Sequence, residues 1–131
     1  MKRNKYIIIS VFILVLLTAC QQNKNNQKLA DIFDFKEDKI KSIIVETTLT
    51  ENKSEVVLKK KEYKNFLDKI LYYNIVEKEN DKEKGWQYAI KIEGDEDVQF
   101  SIMDNKIYVD DKMYISNNLD KNDLLYLFEN K

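Results

Sequence analysis

Histidine and proline are absent from the 131 residues, cysteine occurs once (Cys20), and arginine is confined to Arg3. Without histidine the chain lacks the commonest general base and the commonest metal ligand. Triad hydrolysis and zinc chemistry therefore lose most of their usual parts, and we expect no cofactor and no metal site. A single cysteine excludes an internal disulfide, so the fold must be held by its core, which the 44% apolar content supports. A chain with no arginine after position 3 lacks the bidentate fork that grips phosphates. Together with a net charge of −1 this argues against nucleic acid as a partner. Lysine in place of arginine, with abundant Asn and Ile, is the composition of an AT-rich genome and fits a low-GC bacterium.

What the sequence does contain is concentrated first at its start. Lys2, Arg3 and Lys5 precede a run over residues 6–17 that is apolar but for Ser10, followed by Leu17-Thr18-Ala19-Cys20. The run is shorter than the roughly 20 residues that cross a bilayer core, and it ends in small residues, the layout of a cleaved export signal. An uncleaved signal anchor is the alternative reading. Leu17-Thr18-Ala19-Cys20 resembles the lipobox of bacterial lipoproteins. The resemblance covers the signal alone and implies cleavage between Ala19 and Cys20, a diacylglyceryl group on the Cys20 thiol, and acylation of the new amino terminus. One acyl chain binds a membrane reversibly and two bind it stably, so such a cysteine would hold the chain at the outer face of the cell membrane, or at the outer membrane in a cell with two.

Three regions follow from this reading: a signal at residues 1–19, a lipidated cysteine and tether at 20–30, and one small domain at 31–131. Losing Lys2, Arg3 and Lys5 with the signal takes the 22 basic residues to 19 against 23 acidic, a net charge of −4. Residues 21–28, QQNKNNQK, offer nothing to bury and read as a tether. The cluster from Leu29 to Phe35 is the first worth burying and predicts a short turn or helical segment.

From residue 40 the pattern becomes that of strands. Ile43, Val45, Thr47 and Leu49 alternate with Ile44, Glu46, Thr48 and Thr50, and after a polar turn at 51–54 a second strand at 55–58 completes a hairpin. Tyr63, Phe66, Leu67, Ile70 and Leu71 fall at helical spacing and predict an amphipathic helix over 62–73. Residues 74–79 read as a strand and 80–85 as a charged turn. A meander follows, with Trp86, Tyr88, Ile90 and Ile92 on one strand, then Val98, Phe100 and Ile102, then Ile107 and Val109. A three-residue loop at 94–96 pairs Ile92 with Val98, and a two-residue turn at 104–105 pairs Ile102 with Ile107. For the last turn, Asp110-Asp111 alone pairs Ile107 with Tyr114. Including Lys112 pairs Val109 with Met113 and Tyr108 with Tyr114, and it is preferred because it keeps aliphatic residues together. Asp120 reads as the N-cap of a closing helix carrying Leu124, Leu125, Leu127 and Phe128. A calcium loop starting at Asp120 fails for want of the sixth-position glycine and the twelfth-position glutamate. The expected class is α+β: an antiparallel β-meander with two helices packed on one face, behind a lipoprotein signal.

The candidate functional residues are few. Cys20 is the lipid-attachment site. Tyr108 and Tyr114, as outer-face neighbours, form a candidate contact surface, since tyrosine offers large area at low entropic cost. Lys59, Lys60, Lys61 and Lys64 form a candidate patch for anionic lipid or wall polymer, with a solvated corner as the ordinary reading. The leading expectation is a non-catalytic binding or interaction module of the cell envelope, anchored through a diacylglyceryl group, whose partner is an envelope protein or an incoming toxin or phage component. Immunity or exclusion is its narrower form. The alternative is a carboxylate-dependent envelope enzyme acting on polysaccharide, which needs two carboxyl groups facing each other at roughly 5–10 Å.

Overall fold

Period-two alternation of β-branched and aromatic residues governs the strands. A computed structural model describes residues 27–33, 36–51 and 54–129. The expected signal at 1–19, Cys20 and the stretch 21–26 of the expected tether lie outside the described residues. Eight strands form one open antiparallel sheet: β1 (Gln27–Lys28), β2 (Ser42–Thr47), β3 (Glu55–Val57), β4 (Asn74–Lys78), β5 (Tyr88–Glu93), β6 (Val98–Met103), β7 (Lys106–Val109) and β8 (Lys112–Ser116). Their spatial order is β1-β4-β8-β7-β6-β5-β2-β3. Two short helices, α1 (Leu29–Ile32) and α2 (Tyr63–Ile70), complete an α+β fold.

One face of the sheet carries the core. Ile43 and Val45 of β2, Ile90 and Ile92 of β5, Phe100 and Ile102 of β6, and Ile107 of β7 are buried there beneath Phe66, Leu67 and Ile70 of α2. Each such side chain contributes on the order of 2 kcal/mol by leaving water. The meander registers follow the alternation: Ile92 pairs with Val98, Ile90 with Phe100, and Ile102 with Ile107.

Four expectations need correction. The last hairpin takes the two-residue turn, so Ile107 pairs with Tyr114 and Tyr108 with Met113. Asp110 adopts φ 54, as Asp104 adopts φ 55 at the preceding turn. Positive φ at the first turn position gives the twist that two-residue hairpins require. Alternation misled here because β8 is buried on both faces: Tyr114 is 5% exposed on the core side and Met113 4% on the other.

The closing segment is a turn at 121–124 followed by a 3-10 turn, Leu125–Leu127, rather than an α-helix. In an α-helix the Lys121 carbonyl would accept from the Leu125 N–H. Here it accepts from the Tyr88 hydroxyl, and the Leu125 N–H turns to the Asn122 carbonyl at 3.2 Å. Leu124, Leu127 and Phe128 still reach the core. Asp120 keeps a capping role, its Oδ1 accepting from the Asn122 N–H at 2.8 Å.

The helix expected over 62–73 is α helical only over Tyr63–Ile70. At its start Lys60–Glu62 is a 3-10 turn. At its end the Leu71 and Tyr73 carbonyls accept from the Ala30 and Leu29 N–H groups at 3.0 and 2.9 Å. Those bonds carry the fourth correction: residues 27–30, assigned to the tether, belong to the domain, with Leu29 fully buried.

The route of the chain follows from the strand order. After the β2–β3 hairpin at one edge, α2 crosses the core face to reach β4 near the other edge. Residues 79–87 must then return from β4 to β5, past β8, β7 and β6, a lateral distance of roughly 19 Å. They do so across the face opposite the core. The expected charged turn is thus a strap, and Met113 lies on the face that it crosses.

Candidate functional site

The strap is fixed at three places. At its start the Asn80 side-chain amide donates to the Asp111 carbonyl at 3.0 Å, and Asn80 Oδ1 accepts from the Lys82 N–H at 2.8 Å. Lys82 adopts φ 54 there, and Gly85 adopts φ 124, a conformation that L side chains rarely take. In the middle, Asp81 meets β7. Its carboxylate accepts from Lys106 Nζ at 2.7 Å, from the Tyr108 hydroxyl at 2.8 Å and from the Glu83 N–H at 3.1 Å, while Lys106 also reaches Glu83 at 3.0 Å. At its end the Gln87 side chain exchanges two hydrogen bonds with Asp104, and the Thr47 and Thr48 hydroxyls donate to the Gln87 and Trp86 carbonyls at 2.8 Å.

The titration behaviour of the middle contact follows from these bonds. The Lys106 ammonium, then the Tyr108 hydroxyl and the Glu83 N–H, hold the Asp81 carboxyl down at about 2. Asp81 and Glu83 in turn push Lys106 above its ordinary range. Partial burial, then the bond to Asp81, pushes Tyr108 up to about 12.

Beside the strap the outer face of β2, β3, β5 and β6 is left as a shallow trough of two adjoining hollows. One, of about 320 Å³, is lined by Trp86, Ala89, Gln99, Ser101 and Tyr108 among others. The other, of about 220 Å³, adds Ile44, Glu46, Glu55 and Lys91. Ala89 and Gln99 line both, and the small side chain of Ala89 makes the depression between its neighbours. Glu46 and Glu55 are direct cross-strand partners on this face. Like charges so placed repel, which breaks the usual rule of sheet pairing; Lys91 lines the same hollow.

The structure separates Tyr108 from Tyr114. Tyr108 stays on the outer face as the anchor of the strap, whereas Tyr114 points into the core, so the expected tyrosine pair is not formed. Lys59, Lys60 and Lys61 are exposed on the approach to α2 and Lys64 is exposed in its first turn, and Glu62 accepts from the Lys59 N–H at 3.0 Å. Cys20 lies outside the described residues. Sequence reasoning missed the strap and the trough. The strap's own signals, Asn80 and Asp81 followed by Gly85, are equally those of a plain turn. The Glu46–Glu55 pair becomes visible only once the hairpin register is known. Among the described residues no helix is long and apolar enough to cross a membrane, and no group of three or more acidic side chains is placed to hold a metal ion. No protein-family model matches the chain, and no curated protein or solved structure matches it either.

Proposed function

We propose that this chain is a lipoprotein of the cell envelope, anchored through Cys20, whose folded domain is a non-catalytic binding module for an envelope protein or an incoming toxin or phage component. The anchor rests on the basic start, the short apolar run and Leu17-Thr18-Ala19-Cys20. The binding role rests on one observation above all. The core uses a single face of the sheet and the strap crosses only part of the other, leaving the trough around Ala89 and Gln99 lined by aromatic, amide and charged side chains. Such a mixed lining offers apolar area and directed hydrogen bonds together, the combination by which surfaces recognise a partner.

The test is a cross-linking pull-down from intact cells with wild type, Cys20→Ala and Ala89→Arg. Ala89 lies on the trough floor, so the arginine fills it without touching the core. Loss of the captured partner in Ala89→Arg, with an unchanged melting profile, supports the reading. The same partner recovered from Ala89→Arg removes the trough, and the same partner recovered from Cys20→Ala removes the anchor.

The Glu46–Glu55 pair favours a second reading, a carboxylate-dependent enzyme acting on polysaccharide. Release of reducing ends from cell-wall polysaccharide, abolished by either Glu46→Gln or Glu55→Gln, would decide for it.

A further inference from the structure

A second depression lies on the outer face at the opposite side of the strap, over β4 and β8, with a volume of about 460 Å³. Val76 and Ile115, cross-strand partners, supply apolar floor, and Asn74 and Asn117 line one end. Among the described residues Lys28 and Lys78 are its charged lining and no carboxylate lines it, in a chain where acidic residues outnumber basic ones. Lys28 stands opposite Asn74 in the β1–β4 pairing, so four residues along β4, roughly 13 Å, separate the two lysine positions. The Lys28 ammonium lies 5.0 Å from the centre of the Tyr72 ring.

The chain enters the described fold at Gln27, which lines this depression. Gln27 lies seven residue steps after Cys20, and that length of chain spans at most roughly 25 Å. An acyl group on Cys20 therefore keeps this edge of the sheet within reach of lipid headgroups. Tethering also raises the local headgroup concentration to the millimolar range, where a weak site is occupied.

We propose that the β4–β8 depression binds the headgroup of an anionic phospholipid of the anchoring membrane, its phosphate between Lys28 and Lys78 and its glycerol and first methylenes over Val76 and Ile115. The inference rests on the anchored-lipoprotein reading. The lysines select negative charge, and the apolar floor favours a lipid over free phosphate or a wall polymer. Binding sets the domain on its β1 edge, with the trough turned to the side and open to a partner.

The test is an amide NMR titration of the full-length chain in neutral maltoside micelles with dihexanoyl phosphatidylglycerol, dihexanoyl phosphatidylcholine and glycerol phosphate. We expect saturable shifts at Asn74, Val76, Ile115 and Asn117 with phosphatidylglycerol, at least tenfold tighter than with the other two and weakened by salt. The doubly substituted Lys28→Gln/Lys78→Gln chain, its remaining spectrum unchanged, should bind at least tenfold more weakly. Absence of shifts on β4 and β8, or equal binding of phosphatidylcholine, overturns the site. Equal binding of glycerol phosphate overturns the lipid as its occupant. The mass of the mature amino terminus separates the two proposals: an acylated chain without these shifts defeats the headgroup site alone, and shifts in a chain without acyl mass defeat the anchor alone.

Discussion

Leu29→Ala distinguishes a folded domain that begins at residue 31, as expected from the sequence, from one that includes residues 27–30. Leu29 is fully buried, packs in the main core, and its N–H donates to the Tyr73 carbonyl at 2.9 Å. Truncating a buried leucine to alanine costs about 2–5 kcal/mol, the transfer of the lost methyl groups plus the cavity left behind. For a domain of roughly 100 residues each kcal/mol lowers the melting temperature by about 4–8 °C, so a mid-range cost of about 3 kcal/mol corresponds to a fall of roughly 20 °C. Total stabilities run only about 5–15 kcal/mol, so the variant sits near the edge of folding at 37 °C. Ala30→Ser, one residue on and exposed, should stay within about 0.5 kcal/mol of wild type. Thermal denaturation followed by circular dichroism checks both. Equal melting temperatures for Leu29→Ala and Ala30→Ser would show that the first turn does not belong to the core, and the placement of the chain's entry beside β4 would fall with it.

Further expectations concern the closing segment, the strap and the hairpin. Tyr73→Phe removes the donor to Asp123 at 2.9 Å within a buried site, and chemical denaturation should show a loss of about 1.5–3 kcal/mol. Gly85→Ala meets nothing within 4 Å but must hold φ 124, so it should cost about 1–3 kcal/mol through backbone strain alone. Asp81 is depressed to about 2, so its contribution to holding the strap is complete above the ordinary carboxylate range and is lost as pH falls through about 2. Lys106 and Tyr108 are raised, so their contributions are complete below their ordinary values and are lost as pH rises through the raised ones, about 12 for Tyr108. The fluorescence of Trp86, the one tryptophan, should report the acid step between about pH 4 and 2 in wild type and not in Asp81→Asn. Glu55→Lys turns a repulsive cross-strand pair into an attractive one and should raise stability by about 0.5 kcal/mol; a drop would mean that Lys91 already neutralises the pair.

Strands buried on one face were legible from the sequence. In β5 and β6 the alternation of Tyr88, Ile90 and Ile92 with Val98, Phe100 and Ile102 leaves one register that brings the apolar sets together, and that register forms. In β8 the same logic failed because Met113 and Tyr114 are both buried, so matching aliphatic neighbours favoured the wrong turn. The closing segment carried sound helix signals, and tertiary contact overrode them when Tyr88 took the Lys121 carbonyl. The cluster beginning at Leu29 was legible as a short buried segment, but the domain's start was placed too late because the polar Gln27 and Lys28 give no local sign of their pairing with β4. The candidate site was less legible still. Tyr108 could be seen as an outer-face aromatic, but its partner Asp81 lies 27 residues away and reaches it only through the path of the strap. The trough depends on which strands become neighbours, which no local pattern encodes.

That β4 sits beside β8 has a bearing on how the chain is handled before it folds. Until residues 112–116 exist, the strand completed at residue 78 has only the two residues of β1 beside it, and Tyr73 and Tyr88 wait longer still for residues 121–123. Pairings this distant in sequence are slow to close. A nascent chain of this design remains unfinished until residues 121–128 have been synthesised, so under the proposed lipoprotein reading it would reach an export channel in a threadable condition and complete itself on the far side.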